Sequence, residues 1–176
     1  TGLATLDTLL KELQAQSGVG LKASCSGDLW IDDHHSTEDV MITVGKVLAQ
    51  SFGDKGGFTR MGCAEGCSGS ARVLCVMDLS NRPSLCHTLR LQARGEEMAG
   101  DVSVEMVQHC FESLCHNALI TVHLEQVDEA TGASEAGVLD IATAAMRAFG
   151  SALRECAAID PRRAGVTASS KGTLSK

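Results

Sequence analysis

The chain has 176 residues and a formal net charge of −7 at pH 7, and it contains no apolar run of the ~18 residues that a membrane-spanning helix needs. The length is enough for one well-buried domain or for two small fused halves. A general nucleic-acid binder requires a basic face, so we expect neither direct nucleic-acid contact nor membrane insertion. Aromatic residues make up 3% of the chain, and the core is expected to rely on smaller apolar residues.

The first half of the chain predicts an alternation of helices and strands. Leucines at positions 6, 9, 10 and 13 form the apolar stripe of an amphipathic helix, and two later apolar runs have the length and residue types of buried strands. A turn containing Arg82 separates those two runs. The predicted elements are a helix over 1–17, a strand over 22–31, a helix over 34–52, and strands over 71–78 and 85–92.

The second half repeats this plan, which indicates a duplicated α+β unit within a single domain. We expect the first half to span 1–95 and the second half to span 96–176. Each half is expected to place its sheet against its helices. The predicted elements of the second half are a helix over 102–114, a strand over 119–124, a turn over 128–137 and a helix over 139–157.

Eight cysteines are spread along the chain, and none forms the C-x-x-C spacing of zinc ribbons and redox motifs. A zinc site built from Cys63, Cys67 and neighbouring Cys-His pairs is an alternative. Most of the cysteines fall in apolar patterns, where a thiol acts as a small hydrophobic group. We therefore expect a reducing intracellular location, either the cytoplasm or an organelle matrix such as that of the mitochondrion.

Residues 32–39 have the sequence Asp-Asp-His-His-Ser-Thr-Glu-Asp and lie where a strand pattern gives way to a helix pattern. If a helix begins at His34, then Glu38 can meet either His34 or His35 on one face. Imidazole and carboxylate ligands suit first-row divalent metals. Adjacent histidines on a helix point about 100° apart and would serve two metals rather than one. The alternative interpretation is a capped, solvated helix start.

This stretch, preceded by Gly27-Asp28-Leu29, resembles the signature of the imidazoleglycerol-phosphate dehydratase family, manganese enzymes of histidine biosynthesis. Further similarity follows in the family's order and spacing, so that it covers nearly the whole chain. The resemblance implies a ribosomal protein S5 domain 2-like fold with two pseudo-symmetric α/β half-domains, and the family's N-terminal strands are expected to be missing from 1–95. The similar segments are residues 1–3, 6–7, 78–83, 120–124, 152–154 and 169–172.

In this family the metal sites combine ligands from both halves, and the resemblance implies that one half's ligands are replaced here. The alignment of Gly45 with Gly150 places the first-half motif opposite residues that are poor ligands, apart from one aspartate. The retained metal positions are His34, His35 and Glu38. The positions at which a family ligand is lost are Thr8, Gln16, Leu139, Asp140 and Thr143.

The resemblance also implies a site for the substrate phosphate. Guanidinium, ammonium and hydroxyl groups together make a chemically sensible phosphate clamp. The alternative is that these residues are a structural turn and a polar tail. The matching positions are Arg60, Arg82, Ser169 and Lys171.

Three functions follow from these observations. Because the substitutions concentrate on ligand positions, the leading hypothesis is a non-catalytic homologue without a cofactor, acting as a structural subunit among other protein subunits and not forming the family's metal-bridged cage by itself. The alternative is a manganese-dependent dehydratase that converts imidazole glycerol phosphate to imidazole acetol phosphate, with a partner supplying the missing ligands. The third hypothesis is a module that binds a phosphorylated metabolite without turnover.

Overall fold

The computed structural model describes residues 1–127, 136–169 and 173–174. None of the described helices is long and apolar enough to cross a membrane. The elements are α1 Ala4–Ser17, α2 His34–Phe52, β1 Met61–Ser68, β2 Ala71–Asp78, β3 Ser84–His87, β4 Met98–Ala99, β5 Val102–Ser103, α3 Val104–Ala118, β6 Thr121–Gln126, α4 Val138–Ala157 and the 3₁₀ helix Pro161–Arg163.

A four-stranded sheet in the order β1-β2-β6-β3 forms one side of the molecule. The β1-β2 and β2-β6 pairs are antiparallel, whereas β3 runs parallel to β6, and α3 lies in the connection between these two strands. Alternate residues of β2, namely Val73, Cys75 and Met77, are buried, as the period of two in a strand requires when one face is covered. The buried face packs against the helices.

The helices lie on that face, with α4 against β1 and β2, α3 against β3, α1 against α4, and α2 against α3. Glycines in β1 allow α4 to approach closely. A Cβ atom on Gly66 would lie 2.2 Å from the backbone oxygen of Ala144, and one on Gly62 would lie 2.6 Å from that of Ala152. The α+β architecture with a sheet packed against helices is therefore confirmed.

The two helix pairs make matching close contacts. In α2, a Cβ atom on Gly45 would meet the backbone oxygen of Leu114 and the Cβ of Asn117, both at 2.8 Å. In α4, a Cβ atom on Gly150 would meet the corresponding atoms of α1, the oxygen of Leu13 at 3.2 Å and the Cβ of Gln16 at 2.8 Å. The contact of α2 with α3 is therefore repeated, position for position, by α4 with α1.

Cysteines fill part of the core, as expected from the low aromatic content. Cys75, Cys110, Cys115 and Cys156 are buried, whereas Cys63 is among the exposed cysteines. Burial raises the pKa of Cys110 and of Cys156 to about 12, so these thiols are protonated and unreactive at neutral pH.

Two predicted strands are corrected. The strand predicted over 22–31 is wrong, because residues 20–25 run beside α2 and Ile31 N–H closes a turn on the oxygen of Asp28 at 2.8 Å. The exposed side chains of Trp30 and Ile31 follow from this turn. The strand predicted over 85–92 ends at His87, because the backbone beyond Thr88 no longer pairs with β6.

Other boundaries differ less. The predicted helix over 102–114 runs from Val104 to Ala118, and the predicted strand over 119–124 is Thr121–Gln126. The sequence pattern missed β1, since its glycines lower strand propensity although they are what the contact with α4 requires. Most of the turn predicted over 128–137 lies outside the described residues.

Candidate metal centre

Two imidazoles and one carboxylate come together where α2 meets α3. His34 and Glu38 are four residues apart in α2, and His109 comes from the second turn of α3. Glu38 Oε1 lies 3.1 Å from His109 Nε2, and Glu38 Oε2 lies 3.8 Å from His34 Nε2. One ligand atom from each of the three side chains lies within 4.8 Å of the others.

Helix packing explains why these three residues meet. Gly45 lets α2 lie directly on α3, and Asp33, just before α2, ties together the starts of the two helices. Its Oδ2 accepts hydrogen bonds from the N–H of Ser103 at 2.6 Å and from the Ser103 hydroxyl at 3.0 Å. The helix register is thereby fixed at the end where Glu38 faces His109.

The electrostatics of the set are those of an ionised carboxylate beside imidazoles. The hydrogen bond from His109 lowers the pKa of Glu38, and the Glu38 carboxylate raises the pKa of His109. Glu112 adds a second carboxylate oxygen 3.4 Å from Nδ1 of His109. A second carboxylate at the other ring nitrogen fixes the imidazole orientation, an arrangement common behind metal-ligating histidines.

The three residues fit a divalent metal. Imidazole nitrogen and carboxylate oxygen are the ligands of many first-row metal sites. Three protein ligands leave coordination positions open, which a catalytic site needs for substrate. The side chains are about a third to a half exposed, at 45% for His34, 36% for Glu38 and 31% for His109, so a small molecule can reach them.

His35 is not part of this set. Its Nδ1 lies 2.9 Å from Asp28 Oδ2, its side chain is 63% exposed, and the Asp28 carboxylate raises its pKa. The rings of His34 and His35 are 6.1 Å apart at an interplanar angle of 75°. The neighbouring histidines therefore point in different directions, as the helical geometry predicts.

His109 was not among the metal ligands predicted from the sequence. The sequence signal that could have found it is an alignment of the first helix of each half, and the matching contacts of the helix pairs give its register. With Leu114 equivalent to Leu13 and Asn117 to Gln16, His109 is equivalent to Thr8, a position already identified as that of a lost ligand. The partner half was therefore the place to look for the retained histidine.

The equivalent positions at the contact of α1 with α4 hold no comparable set among the described residues. The hydroxyl of Thr8 donates to the oxygen of Ala4 at 2.8 Å, and that of Thr143 to the oxygen of Leu139 at 2.7 Å. Asp140 accepts a hydrogen bond from Ser68 at 2.8 Å. These local bonds satisfy the polar groups without a metal.

Gln16 lies apart from Thr8, Asp140 and Thr143. Its Cβ contacts α4 beside Gly150, which is about 10 Å along the helix axis from Thr143. The structure therefore separates Gln16 from the other positions at which a ligand was expected.

The predicted phosphate residues have different surroundings. Arg60 is held by Asp78 through Nε at 2.7 Å and Nη2 at 2.9 Å, and its Nη1 donates to the oxygen of Ala168 at 2.6 Å. This last bond places Arg60 beside Ser169. Arg82 is exposed in the turn before β3, and Lys171 lies outside the described residues.

The cysteines do not form a metal site in the described part of the chain. Among the described residues, only His34, Glu38 and His109 bring three histidine, cysteine or acidic ligand atoms within 4.8 Å of one another. Cys63 and Cys67 are exposed on β1, and their strand neighbours supply no further ligand set. The zinc alternative finds no support there.

Comparison with known proteins gives one consistent result. The family model described as imidazoleglycerol-phosphate dehydratase matches residues 1–153. The chain is 37% identical over 174 residues to the imidazoleglycerol-phosphate dehydratase of Synechococcus sp. (strain WH7803). The aligned region covers 99% of this chain and 82% of that protein. For the enzyme of the same name from Prochlorococcus marinus (strain MIT 9313), the identity is 38%, with 99% and 79% covered.

Solved structures show the same similarity at the level of the fold. The crystal structure of imidazoleglycerol-phosphate dehydratase from Staphylococcus aureus matches with a TM-score of 0.78 and 26% identity, covering 90% of this chain and 85% of that one. The structure from Pyrococcus furiosus in complex with (S)-C348 matches with a TM-score of 0.79 and 25% identity, covering 98% and 88%.

Proposed function

The chain belongs to the imidazoleglycerol-phosphate dehydratase family, and we propose that it is a metal-dependent dehydratase that converts imidazole glycerol phosphate to imidazole acetol phosphate in histidine biosynthesis. The observation that carries this proposal is the set of His34, Glu38 and His109, whose ligand atoms lie within 4.8 Å of one another. The comparisons favour this alternative and give no support to a structural subunit or to a mitochondrial location.

Three protein ligands are enough for the proposed chemistry, although, from the sequence alone, the lost ligand positions favoured a non-catalytic homologue. Manganese bound there would stabilise the imidazolate form of the substrate ring. His34, Glu38 and His109 would hold the metal, and Glu112 would keep the His109 ring in place. The open side of the set leaves room for an imidazole nitrogen, which a set closed by four protein ligands would exclude.

The substrate phosphate is assigned to Arg82 and to the C-terminal segment with Ser169 and Lys171. Arg82 is exposed, so its guanidinium is available to an anion. Arg60 acts differently in this proposal. Because Asp78 already occupies two of its nitrogen atoms, Arg60 anchors the segment next to Ser169 and is not the main phosphate ligand.

Metal content and turnover test this proposal together. Purified protein incubated with Mn²⁺ and then gel-filtered is expected to retain about one ion per chain by elemental mass spectrometry and to dehydrate imidazole glycerol phosphate. The variant His109→Ala is expected to lose both the ion and the dehydratase activity, because it removes one of the three metal ligands. The variant His116→Ala, which removes an exposed histidine two turns further along α3, is the matched control.

Two outcomes would count against the proposal. Stoichiometric metal without any dehydration would leave a metal site of another purpose, and tight binding of phosphate ester without turnover would support the metabolite-binding module instead. Absence of retained metal with His34, Glu38 and His109 intact would return the structural-subunit hypothesis to first place.

A further inference from the structure

Lys55 is a buried lysine whose ammonium group is hydrogen-bonded to three oxygen atoms and lies 5.9 Å from the ring centre of Phe52. The residue is 2% exposed, and no carboxylate of the described residues lies within 4.0 Å of Nζ. Asn81 Oδ1 accepts its shortest hydrogen bond, at 2.6 Å, and the backbone oxygens of Leu79 and Leu119 lie at 3.3 Å and 3.4 Å. A buried charge without an ion-pair partner is unfavourable unless hydrogen bonds satisfy it, so these three acceptors are the groups that accommodate the ammonium group of Lys55.

The three acceptors come from two neighbouring segments of the chain, which the backbone bond from Asn81 N–H to the Leu119 oxygen at 3.0 Å also joins. Leu79 and Asn81 belong to the turn between β2 and β3, and Leu119 ends α3. Asn81 and Leu119 have positive φ values of 56° and 57°, a left-handed conformation that is unfavourable for residues with a side chain. Hydrogen bonds from Lys55 to both residues compensate for that conformation.

Lys55 also determines how Asn81 is oriented. An ammonium group has three donors and no acceptor, so the amide of Asn81 must present its oxygen to Lys55 and its nitrogen to the opposite side. There Nδ2 donates to the backbone oxygen of Leu174 at 2.8 Å. Leu174 is buried, with 8% exposure. The ammonium group is therefore connected through one amide to the C-terminal segment.

The same turn carries Arg82. The hydroxyl of Ser80 contacts both the N–H and the oxygen of Arg82 at 3.0 Å, and the hydroxyl of Thr121 donates to that oxygen at 2.7 Å. Lys55 donates hydrogen bonds to the Leu79 oxygen and to the Asn81 side chain. These bonds fix the residues on either side of Ser80. The position of Arg82 therefore depends on a network that begins at Nζ of Lys55.

We propose that Lys55 is a positioning residue for the phosphate end of the site, holding the Arg82 turn and the C-terminal segment in register through Asn81. This inference rests on the proposed function in that the two segments carry the residues assigned to the substrate phosphate. Lys55 itself does not touch substrate, because it is 2% exposed and its ammonium group is enclosed by Phe52 and the three acceptors from Leu79, Asn81 and Leu119. Its effect on binding passes through Asn81.

The test compares Lys55→Met with Lys46→Met, which changes an exposed lysine of α2. Hydrogen exchange is measured by mass spectrometry at pH 7 on peptides covering residues 79–82 and the segment beyond Val166. In Lys55→Met both peptides are expected to exchange about tenfold faster, while α2 and α3 keep their protection. In turnover, KM for the phosphorylated substrate is expected to rise about tenfold with kcat within about twofold, which is the signature of lost binding.

A second variant keeps the test decisive if Lys55→Met does not fold. Asn81→Asp retains an oxygen for Lys55 and removes the donor to Leu174, so faster exchange is expected in the C-terminal peptide alone. Uniform loss of protection in either variant, or equal exchange in variant and wild type, would overturn the positioning role. The exchange result does not depend on turnover, so failure of the proposed dehydratase activity can be told apart from failure of this inference.

Discussion

Glu38 joins the two histidines of the candidate metal centre. Its two oxygens face imidazoles from different helices, at 3.8 Å for His34 and 3.1 Å for His109. Spacing along the sequence predicted the first of these contacts, because residues four apart share a helix face. The second contact joins positions 71 residues apart, and no local pattern contains it.

Lys55 provides a pH-dependent prediction at the same scale. Burial lowers the pKa of Lys55 from its ordinary value of 10.5 to about 8, with Arg60 adding to the decrease and Asp78 opposing it. Between pH 8 and 10.5 the unfolded chain binds more protons at this residue than the folded chain does. The free energy of unfolding is therefore expected to rise with pH across this window, by an amount on the order of 2 kcal/mol.

The measurement is urea unfolding of the wild type and of Lys55→Met at pH 7.5 and at pH 10. Subtracting the variant removes the contributions of all other titrating groups. The difference between the two proteins is expected to shift in favour of the wild type at the higher pH. A difference that is the same at both pH values would show that the ammonium group of Lys55 is not destabilised by its surroundings.

The positions of the long helices were predicted from the sequence, whereas the close contacts between helices depend on glycines. The helix predicted over 34–52 is α2, and the helix predicted over 139–157 differs from α4 by one residue. Apolar periodicity fixes such helices because it defines a buried face. It does not define how closely two helices approach, which here depends on Gly45 and Gly150.

We expect Gly45→Ala to destabilise the protein by about 1–3 kcal/mol. The new methyl group would lie 2.8 Å from both the Leu114 oxygen and the Asn117 Cβ, and overpacking of this size outweighs the gain of up to ~1 kcal/mol in helix propensity. Urea unfolding gives the value. Gly20→Ala, where a Cβ meets nothing within 4 Å, is the control, and equal stability of both variants would mean that the helix contact is loose.

Strands were predicted less well because a strand is defined by its neighbours. The segment 22–31 has suitable residues but no partner strand, and it forms a turn beside α2. β1 has unsuitable glycines, but it pairs with β2 along eight residues. In both cases the contacts available in the folded chain overrode the local preference.

In the whole molecule, the contact of α2 with α3 matches that of α4 with α1, as expected if the chain is duplicated; the boundaries of the halves, 1–95 and 96–176, stay a prediction. We infer that the two helix contacts diverged in one respect: His34 and Glu38 of α2 with His109 of α3 can hold a metal, whereas the equivalent positions of α4 and α1 cannot. The counterpart positions are Leu139, Thr143 and Thr8.

This inference predicts that the second set can be rebuilt. The triple variant Thr8→His, Leu139→His and Thr143→Glu is expected to raise the retained metal from about one to about two ions per chain, because it restores two imidazoles and a carboxylate at equivalent positions. Elemental mass spectrometry after gel filtration measures the change. An unchanged ratio in a folded triple variant would contradict the equivalence of the halves.

The metal set and the Arg82 turn lie near opposite ends of α3. His109 and the end of α3, where Asn81 N–H donates to the Leu119 oxygen at 3.0 Å, are about 15 Å apart along the helix. A substrate with three carbons between ring and phosphate is shorter than this, so within one chain the long Arg82 side chain would have to extend towards the metal end to meet its phosphate. We infer that a working site combines the metal end of one chain with the Arg82 turn of another.

Mixing two inactive variants tests that inference. His109→Ala lacks the metal end and Arg82→Ala lacks the phosphate end, so a mixture that is unfolded and refolded together is expected to recover up to about a quarter of the activity if sites form between chains. The same variants refolded separately and then assayed together serve as the control. No recovery after joint refolding would place both ends of the site within one chain.

The sequence by itself determined the helices, the apolar face of β2, the metal motif at His34 and Glu38, and the resemblance that the comparisons confirmed. These features are local, since they depend on periodicity and on residue types at short spacing. Only the tertiary structure decided that His109 completes the metal set and that Arg60 is held by Asp78. Such contacts depend on helix packing and strand pairing between distant segments, which residue order does not specify locally.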